Sequence, residues 1–219
     1  MSFGISSSLH YLRRVFQQQH MKRDTPDKFR QSNAYAMQNG IILGLWSIAA
    51  LALYILSFLH HSIFQFVADL MLWGSILLAG WLTLRFRQRT TLPGEAFPFR
   101  RAYVHTLLSG LYASVWIALA VYIYFWQTRG VELFNSLEQM SQEAEIAHSI
   151  AQMESSGVLD NLYTTTGAEN FSELIDALRS VSPASYAGMI VSGTLLSAPF
   201  IALIIALSTM RRAQPSQHP

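Results

Sequence analysis

Two histidines and one aspartate come nearest to forming a chemical site in this chain. His60 and His61 stand between two long apolar segments, and Asp69 lies inside the second of them. If a helix begins at His61, this residue lies about two turns from Asp69, with Gln65 between them on the same face. Two imidazoles and a carboxylate can bind a metal ion or relay protons within a membrane. His60, His61 and Asp69 are therefore weak candidates for metal ligands.

A simpler interpretation explains the same three residues, and we favour it. The histidines can be turn residues at the membrane interface, and the Asp69 carboxylate can reach that interface or bond to a neighbouring helix. A charged aspartate at mid-bilayer costs roughly 2.5–3.5 kcal/mol. The cost is smaller near the interface, and Asp69 lies only about 9 Å from the start of its predicted helix. We expect no metal, no cofactor and no catalytic residue, and hence no enzyme.

Other kinds of chemistry lack their residues or motifs. The chain has no cysteine, which excludes disulfides, thiol catalysis and cysteine-based zinc sites. It contains no P-loop, nucleophile elbow, zinc-protease motif or dinucleotide-binding fingerprint. Its basic loops are most simply determinants of topology and contacts for lipid headgroups. The chain has no soluble domain that could form a binding surface for nucleic acid, so we expect that it binds no nucleic acid.

The composition indicates a membrane protein. Of the 219 residues, 51% are hydrophobic and only 13% are charged, against about 25% charged in a usual soluble domain. Residues 36–59 contain no charged side chain and exceed the roughly 20 apolar residues that cross a bilayer as a helix. Three further segments qualify. The sequence predicts an all-α polytopic membrane protein with four transmembrane helices at about residues 36–59, 63–84, 102–126 and 183–210. Ser182 followed by Pro183 predicts a capped start for the last of them.

The remaining segments flank these spans. Residues 1–35 form a basic cytoplasmic segment, in which apolar residues at helical spacing predict either an amphipathic surface helix or a frayed polar tail. We favour the helix and expect a turn at Thr25-Pro26-Asp27 to end it. Residues 127–182 carry nine carboxylates and two arginines. They predict one amphipathic helix at 131–153 and another at 171–179, which Asn170 and Glu173 would start. Residues 211–219 form a cytoplasmic tail.

Small residues recur on the predicted spans where helices could pack closely. Gly40 and Gly44 form a GxxxG motif, which lets another helix backbone approach, in this chain or in a partner. Pro199 lacks a backbone N–H and predicts a kink in the last span. The positions predicted to pack are Gly40, Gly44, Ser75, Ala79, Gly110, Ser114, Gly188 and Ser192.

The basic residues predict the orientation. Six Lys or Arg precede the first span, five lie between the second and third spans, and two follow the fourth. The opposite side has only two, both in the acidic insert. By the positive-inside rule both termini are cytoplasmic, and the insert faces outward. We expect a multi-pass protein of the bacterial inner membrane.

Several stretches together resemble a known family. They are Asn39-Gly40-Ile-Ile-Leu-Gly44, Phe99-Arg100-Arg101-Ala102-Tyr103, the acidic insert, and the last span with Gly188, Gly193 and Arg211-Arg212. In these features the chain is similar to a bacterial family of four-span membrane proteins, domain of unknown function 4199, over about residues 33–212. The resemblance implies a helical insert between the third and fourth spans. It implies no activity, cofactor or catalytic residue.

Two functions remain open at this stage. The first is a non-catalytic structural or accessory subunit of a membrane complex, or a homo-oligomer, in contact with the lipid bilayer. Its partner would cover an apolar stripe on the insert formed by Val131, Phe134, Leu137, Ala144 and Ile150. The second is a transporter or channel component for a small solute or ion, which would use Asp69 and the helix break at Pro199. We favour the first, because one carboxylate and four spans supply little of a transport pathway.

Overall fold

The computed structural model describes residues 4–60, 64–92 and 95–212, without the side chains of residues 4–28 and 60. Within these residues the only β-type pairing is an isolated bridge between Phe97 and Arg211. The helices are α1 Gly4–His60, α2 Phe64–Thr90, α3 Phe99–Thr128, α4 Val131–Ser141, α5 Ala144–Ser155, α6 Asp160–Thr166, α7 Phe171–Arg179 and α8 Pro183–Thr209.

Four of these helices are long and apolar enough to cross a membrane. The candidate spans are Phe29–Leu59, Phe64–Thr90, Phe99–Thr128 and Pro183–Thr209. This confirms the predicted all-helical, polytopic fold. The first three spans exceed their predicted lengths, and α2 continues past residue 84 through three arginines. A helix of 27 residues is about 40 Å long, whereas the hydrocarbon core is about 30 Å thick. The extra turns therefore place charged ends beyond the apolar region.

Helix α3 lies between α1 and α8, and α2 packs beside α1. The close approach of α1 to α3 depends on two glycines. A Cβ added at Gly40 would overlap the Cβ of Tyr112 and come within 3.0 Å of the Ser109 carbonyl oxygen. A Cβ added at Gly44 would lie 2.9 Å from the Cβ of Trp116. The GxxxG motif therefore packs against a helix of the same chain.

The other predicted packing positions divide into two groups. Ala79 and Ser114 are buried, Ser75 is half-buried, and a Cβ at Gly110 would lie 3.6 Å from the Cβ of Ala198. Gly188 and Ser192 are exposed instead, and a Cβ at Gly188 would meet nothing within 4 Å among the described atoms. These two residues are not buried within the described chain, so their packing against another chain stays a prediction. Small residues permit a close approach, but the pattern does not say where a second helix lies.

The first helix is longer than predicted. It continues from Gly4 to His60 without a break, so the predicted turn at Thr25-Pro26-Asp27 is absent from the backbone. Proline removes one helical hydrogen bond, and the Gln, Lys and Arg residues around it favour helix. The apolar face predicted for residues 5–16 concerns side chains that lie outside the described ones.

The insert contains more helices than predicted. Instead of one helix at 131–153, α4 and α5 are separated at Gln142 and Glu143, where Glu143 is extended with φ −68° and ψ 133°. Phe134 and Ile150 are both buried. In one continuous helix, at about 100° per residue, they would point about 160° apart and could not share a buried face. The break lets each short helix turn its own apolar side inward.

Two predicted helix starts are confirmed. The Asn170 side chain accepts a hydrogen bond from the Glu173 N–H at 2.9 Å, and the Glu173 carboxylate accepts one from the Glu169 N–H at 2.8 Å. Ser182 accepts from the Ser185 N–H at 3.2 Å and starts α8. These bonds satisfy first-turn donors that a helix cannot satisfy itself. Helix α6 was not predicted from the sequence.

Candidate functional site

The structure tests only part of the proposed histidine–aspartate group. The side chain of His60 and all of His61 lie outside the described residues. Asp69 is half-buried on α2. Among the described residues, no group of three or more His, Cys, Asp or Glu is arranged to hold a metal ion. His105 and His148 do not join Asp69, because His105 is buried between α1 and α3 and His148 is exposed on α5.

A buried polar network joins α1 to α3 near the membrane side that holds the termini. His105 is fully buried, with 0% of its surface exposed. Its Nε2 lies 3.0 Å from Asn39 Nδ2 and its Nδ1 lies 3.4 Å from the Ser32 carbonyl oxygen. Because the amide nitrogen donates to Nε2, Nδ1 carries the proton that points to Ser32. The ring also stacks on Phe86 of α2, with centroids 3.9 Å apart. One imidazole thus ties three spans together.

Arginines close the same end of the bundle. Arg101 donates to the Gln31 side chain at 3.1 Å, and its guanidinium lies 5.3 Å from the Phe86 ring centre and 5.8 Å from that of Phe97. Arg87 donates to the Thr209 carbonyl oxygen at 2.7 Å, at the C-terminal end of α8. At least these two basic residues therefore have structural contacts within the protein, beyond any role in topology.

A cavity of about 160 Å³ lies at the centre of the four spans. Six hydroxyl-bearing residues line it: Ser47, Ser75, Thr106, Ser114, Thr194 and Ser197. Five of these hydroxyls donate to carbonyl oxygens of their own helices, which is usual for Ser and Thr in membrane helices. Neither Asp69 nor Pro199 lines the cavity. The two residues expected to form a transport site are therefore not brought together there.

The predicted partner-binding stripe is split by the fold. Phe134 is only 4% exposed and packs against Phe125 of α3, with ring centres 6.2 Å apart. Ile150 is 8% exposed. Val131 and Ala144 are exposed, and Leu137 is half-buried. The expectation that a partner must cover the whole stripe was wrong, because the chain itself covers Phe134 and Ile150.

The insert buries several apolar side chains of its own, and its first helix packs against α1. Its buried apolar side chains come from four helices or their ends: Phe134, Ile150, Leu159, Leu174 and Ile175. Tyr163 donates a 2.5 Å hydrogen bond to Glu154, which connects α6 to the end of α5. Partial burial and this bond to a carboxylate raise the pKa of Tyr163 to about 12. The phenol therefore keeps its proton at neutral pH.

The network around His105 was not predicted from the sequence. Its signal was present, because Asn39 and His105 are polar residues inside otherwise apolar spans. Such residues usually face the inside of a bundle and find partners there. Pairing them required knowing that α1 and α3 are neighbours.

Comparisons with known proteins identify the relatives of this chain at the level of a family. A family model described as a protein of unknown function (DUF4199) matches residues 38–211. No curated protein and no solved structure matches the chain. The matched region covers the first span from residue 38, the other three spans and the insert, and it leaves out the whole N-terminal basic segment, residues 1–35.

Proposed function

We propose that this chain, which belongs to the DUF4199 family, is a non-catalytic component of a membrane complex whose insert binds a protein partner through its acidic surface. The four apolar helices anchor it in the bilayer. The observation that carries the proposal is that most of the insert's carboxylates are exposed, whereas its large apolar residues are divided between buried ones and four exposed ones, Val131, Met153, Val158 and Leu162.

Most of the charged groups exposed on the insert are carboxylates. Seven of its nine carboxylates are exposed: Glu132, Glu143, Glu145, Asp160, Glu169, Glu173 and Asp176. Glu138 and Asp176 lie 3.4 Å from Arg179. Such a predominantly acidic surface attracts a positively charged partner and repels a second copy of itself. The partner is therefore expected to be a different protein with a basic face.

Removing carboxylates from this surface is expected to weaken the complex. Glu132→Gln with Glu145→Gln should weaken association about tenfold at low salt, because the long-range attraction falls. The complex would be recovered in mild detergent and its composition followed by native mass spectrometry at increasing salt.

Glu95→Gln is the matched control, since it removes an exposed carboxylate at the other end of the bundle. It should leave the complex intact. A parent protein that purifies without any protein partner, or a double variant that keeps its partner at every salt concentration, would contradict the proposal.

We also propose that the insert faces outward and that both termini are cytoplasmic in a bacterial inner membrane. The thirteen-to-two division of Lys and Arg supports this orientation. In this cysteine-free chain, Ser172→Cys in the insert should react with an impermeant maleimide added to intact spheroplasts. Gln88→Cys should react only after the membrane is opened. Both positions are exposed, and the reverse pattern would overturn the orientation.

The hydroxyl-lined cavity favours a second function, the passage or binding of a small neutral solute. Its position at the middle of all four spans is where transporters place their sites. Its volume is close to that of an engineered cavity of about 150 Å³ that holds benzene. Ser114→Leu would fill it. Loss of cell function from this variant, with an intact complex and fold, would favour transport over the accessory role.

A further inference from the structure

Two cavities meet where the insert joins the spans. The first has a volume of about 370 Å³, and its lining is partly polar and partly apolar. The second is an apolar groove of about 420 Å³ between α1, α3 and α8. Phe125 and Tyr186 line both of them. Their rings stack with centres 4.0 Å apart and planes 11° apart, so the two cavities share one aromatic wall.

Two arginines line the polar cavity, although the surrounding segment is mostly acidic. Residues 127–182 contain nine carboxylates and only two basic residues of the Lys or Arg type, Arg129 and Arg179. These arginines are 50 positions apart in the sequence, and both line the cavity. No carboxylate lines it. The fold therefore brings both arginines to one cavity, although Glu138 and Asp176 lie 3.4 Å from Arg179.

Both arginines have donors to spare. Arg179 contacts Asp176, Asn135 and Glu138 at 3.1–3.4 Å, which uses at most three of its five N–H donors. Arg129 is exposed, and its side chain forms no hydrogen bond or ion pair with another described residue. Arg129 also adopts the left-handed conformation, with φ 51°, where glycine is the usual residue. Arg129 lines the cavity in that conformation.

The position of the cavity matches the headgroup level. Helix α3 ends at Thr128 and α8 begins at Pro183, so the wall of the cavity lies at the boundary of two spans. Trp126, 64% exposed, lines it and belongs to the aromatic residues that favour this level. The groove lies further into the span, along Ile48, Ala120 and Ile190, and its lining is almost wholly apolar.

We propose that the two cavities form one binding site for a phospholipid of the leaflet on the insert side. Its phosphate lies between Arg129 and Arg179, and one acyl chain lies in the groove past Phe125 and Tyr186. Guanidinium groups match the planar, two-point hydrogen bonding of a phosphate. A free phosphate ion offers the same charge but leaves the groove empty, whereas a lipid fills both cavities.

The test measures lipid binding to the full chain. Protein stripped of lipid in mild detergent would be titrated with dioleoylphosphatidylglycerol, and the tightest-bound lipid followed by native mass spectrometry. Arg129→Gly with Arg179→Gln should weaken this binding at least tenfold. Arg129→Gly alone should weaken it severalfold, and it should stay folded because glycine suits the left-handed conformation. Its thermal melt would confirm the fold.

A matched double variant controls for general attraction by basic residues. Arg89→Gln with Arg100→Gln removes two exposed arginines from the opposite end of the bundle and should leave the tightest binding event unchanged. Equal weakening by both double variants, or no weakening by either, would overturn the site.

Two further arms identify the source of the phosphate. Ala120→Leu, which fills the groove, should weaken phosphatidylglycerol binding at least severalfold. Dioleoylglycerol, which has the same chains without phosphate, should bind at least tenfold more weakly than phosphatidylglycerol. If inorganic phosphate binds as tightly as the lipid and Ala120→Leu has no effect, the site takes a free anion and the lipid proposal is wrong. If dioleoylglycerol binds as tightly, the arginines do not recognise phosphate and the proposal is also wrong.

Discussion

Replacing Gly40 by leucine is expected to prevent the four spans from assembling. The first added carbon already overlaps the Tyr112 Cβ and approaches the Ser109 carbonyl oxygen and the Ala113 backbone nitrogen at 3.0 and 3.3 Å. These neighbours are backbone or next to it, so a change of rotamer cannot move them away. Overpacking of a core usually costs about 1–3 kcal/mol, and here we expect at least about 3 kcal/mol. The readout is the thermal melt and size-exclusion profile in detergent.

The same substitution at Gly188 supplies the control. Nothing lies within 4 Å of a Cβ added there, and the residue is exposed on α8. Gly188→Leu should therefore melt within about 1 °C of the parent, or slightly higher because leucine favours helix. Identical behaviour of the two variants would show that α1 and α3 do not approach each other at Gly40. A defect at Gly188 alone would instead indicate an interface with another protein on that face.

The second large effect is expected at His105. His105→Leu keeps a similar volume but removes the bonds to Asn39 and to the Ser32 carbonyl, and it leaves the Asn39 amide unpaired between spans. An unsatisfied buried polar group costs about 1–3 kcal/mol, and the stacking on Phe86 is lost as well. We expect a destabilisation of about 2–4 kcal/mol, measured by reversible unfolding in mixed micelles.

A double variant separates the bond from general packing. Asn39→Leu with His105→Leu removes both partners, so it should be more stable than His105→Leu alone. Tyr112→Phe removes a 2.8 Å bond to Asn33 that is only partly buried, and it should cost less than about 1 kcal/mol. A double variant whose loss of stability equals the sum of the losses of the two single variants would show that His105 and Asn39 do not act as a pair.

The insert presents two faces with different tasks in the proposals above. Its exposed carboxylates point to a basic protein partner, whereas Arg129 and Arg179 line a cavity against the spans. The two proposals can fail separately. Neutralising Glu132 and Glu145 tests the protein partner, and the arginine variants test the lipid.

The sequence by itself determined which segments are helices in the membrane and where several of them start. Each of these apolar runs is long enough to cross the bilayer. Because lipid offers no hydrogen bonds, their backbone groups must bond within a helix. The caps at Asn170 and Ser182 were also readable, because capping depends on residues three positions apart. The helix at residues 171–179 also followed from such local signals, whereas α6 did not.

Only the tertiary structure decided which helix faces meet. Gly40 and Gly188 look alike in sequence, yet one lies against α3 and the other meets nothing among the described atoms. The break at Glu143 likewise depends on where Phe134 can be buried, which is against Phe125 of another helix.

The pairs of residues on which the proposals and predictions depend were not predictable either, because their members are far apart in the sequence. His105 joins Asn39 across 66 positions, and Arg129 meets Arg179 at a common cavity across 50 positions. Local periodicity reports what a residue does within its own helix, over three or four neighbours. The pairing of distant residues depends on the packing order of the spans, with α3 between α1 and α8, and no local pattern in this chain encodes that order.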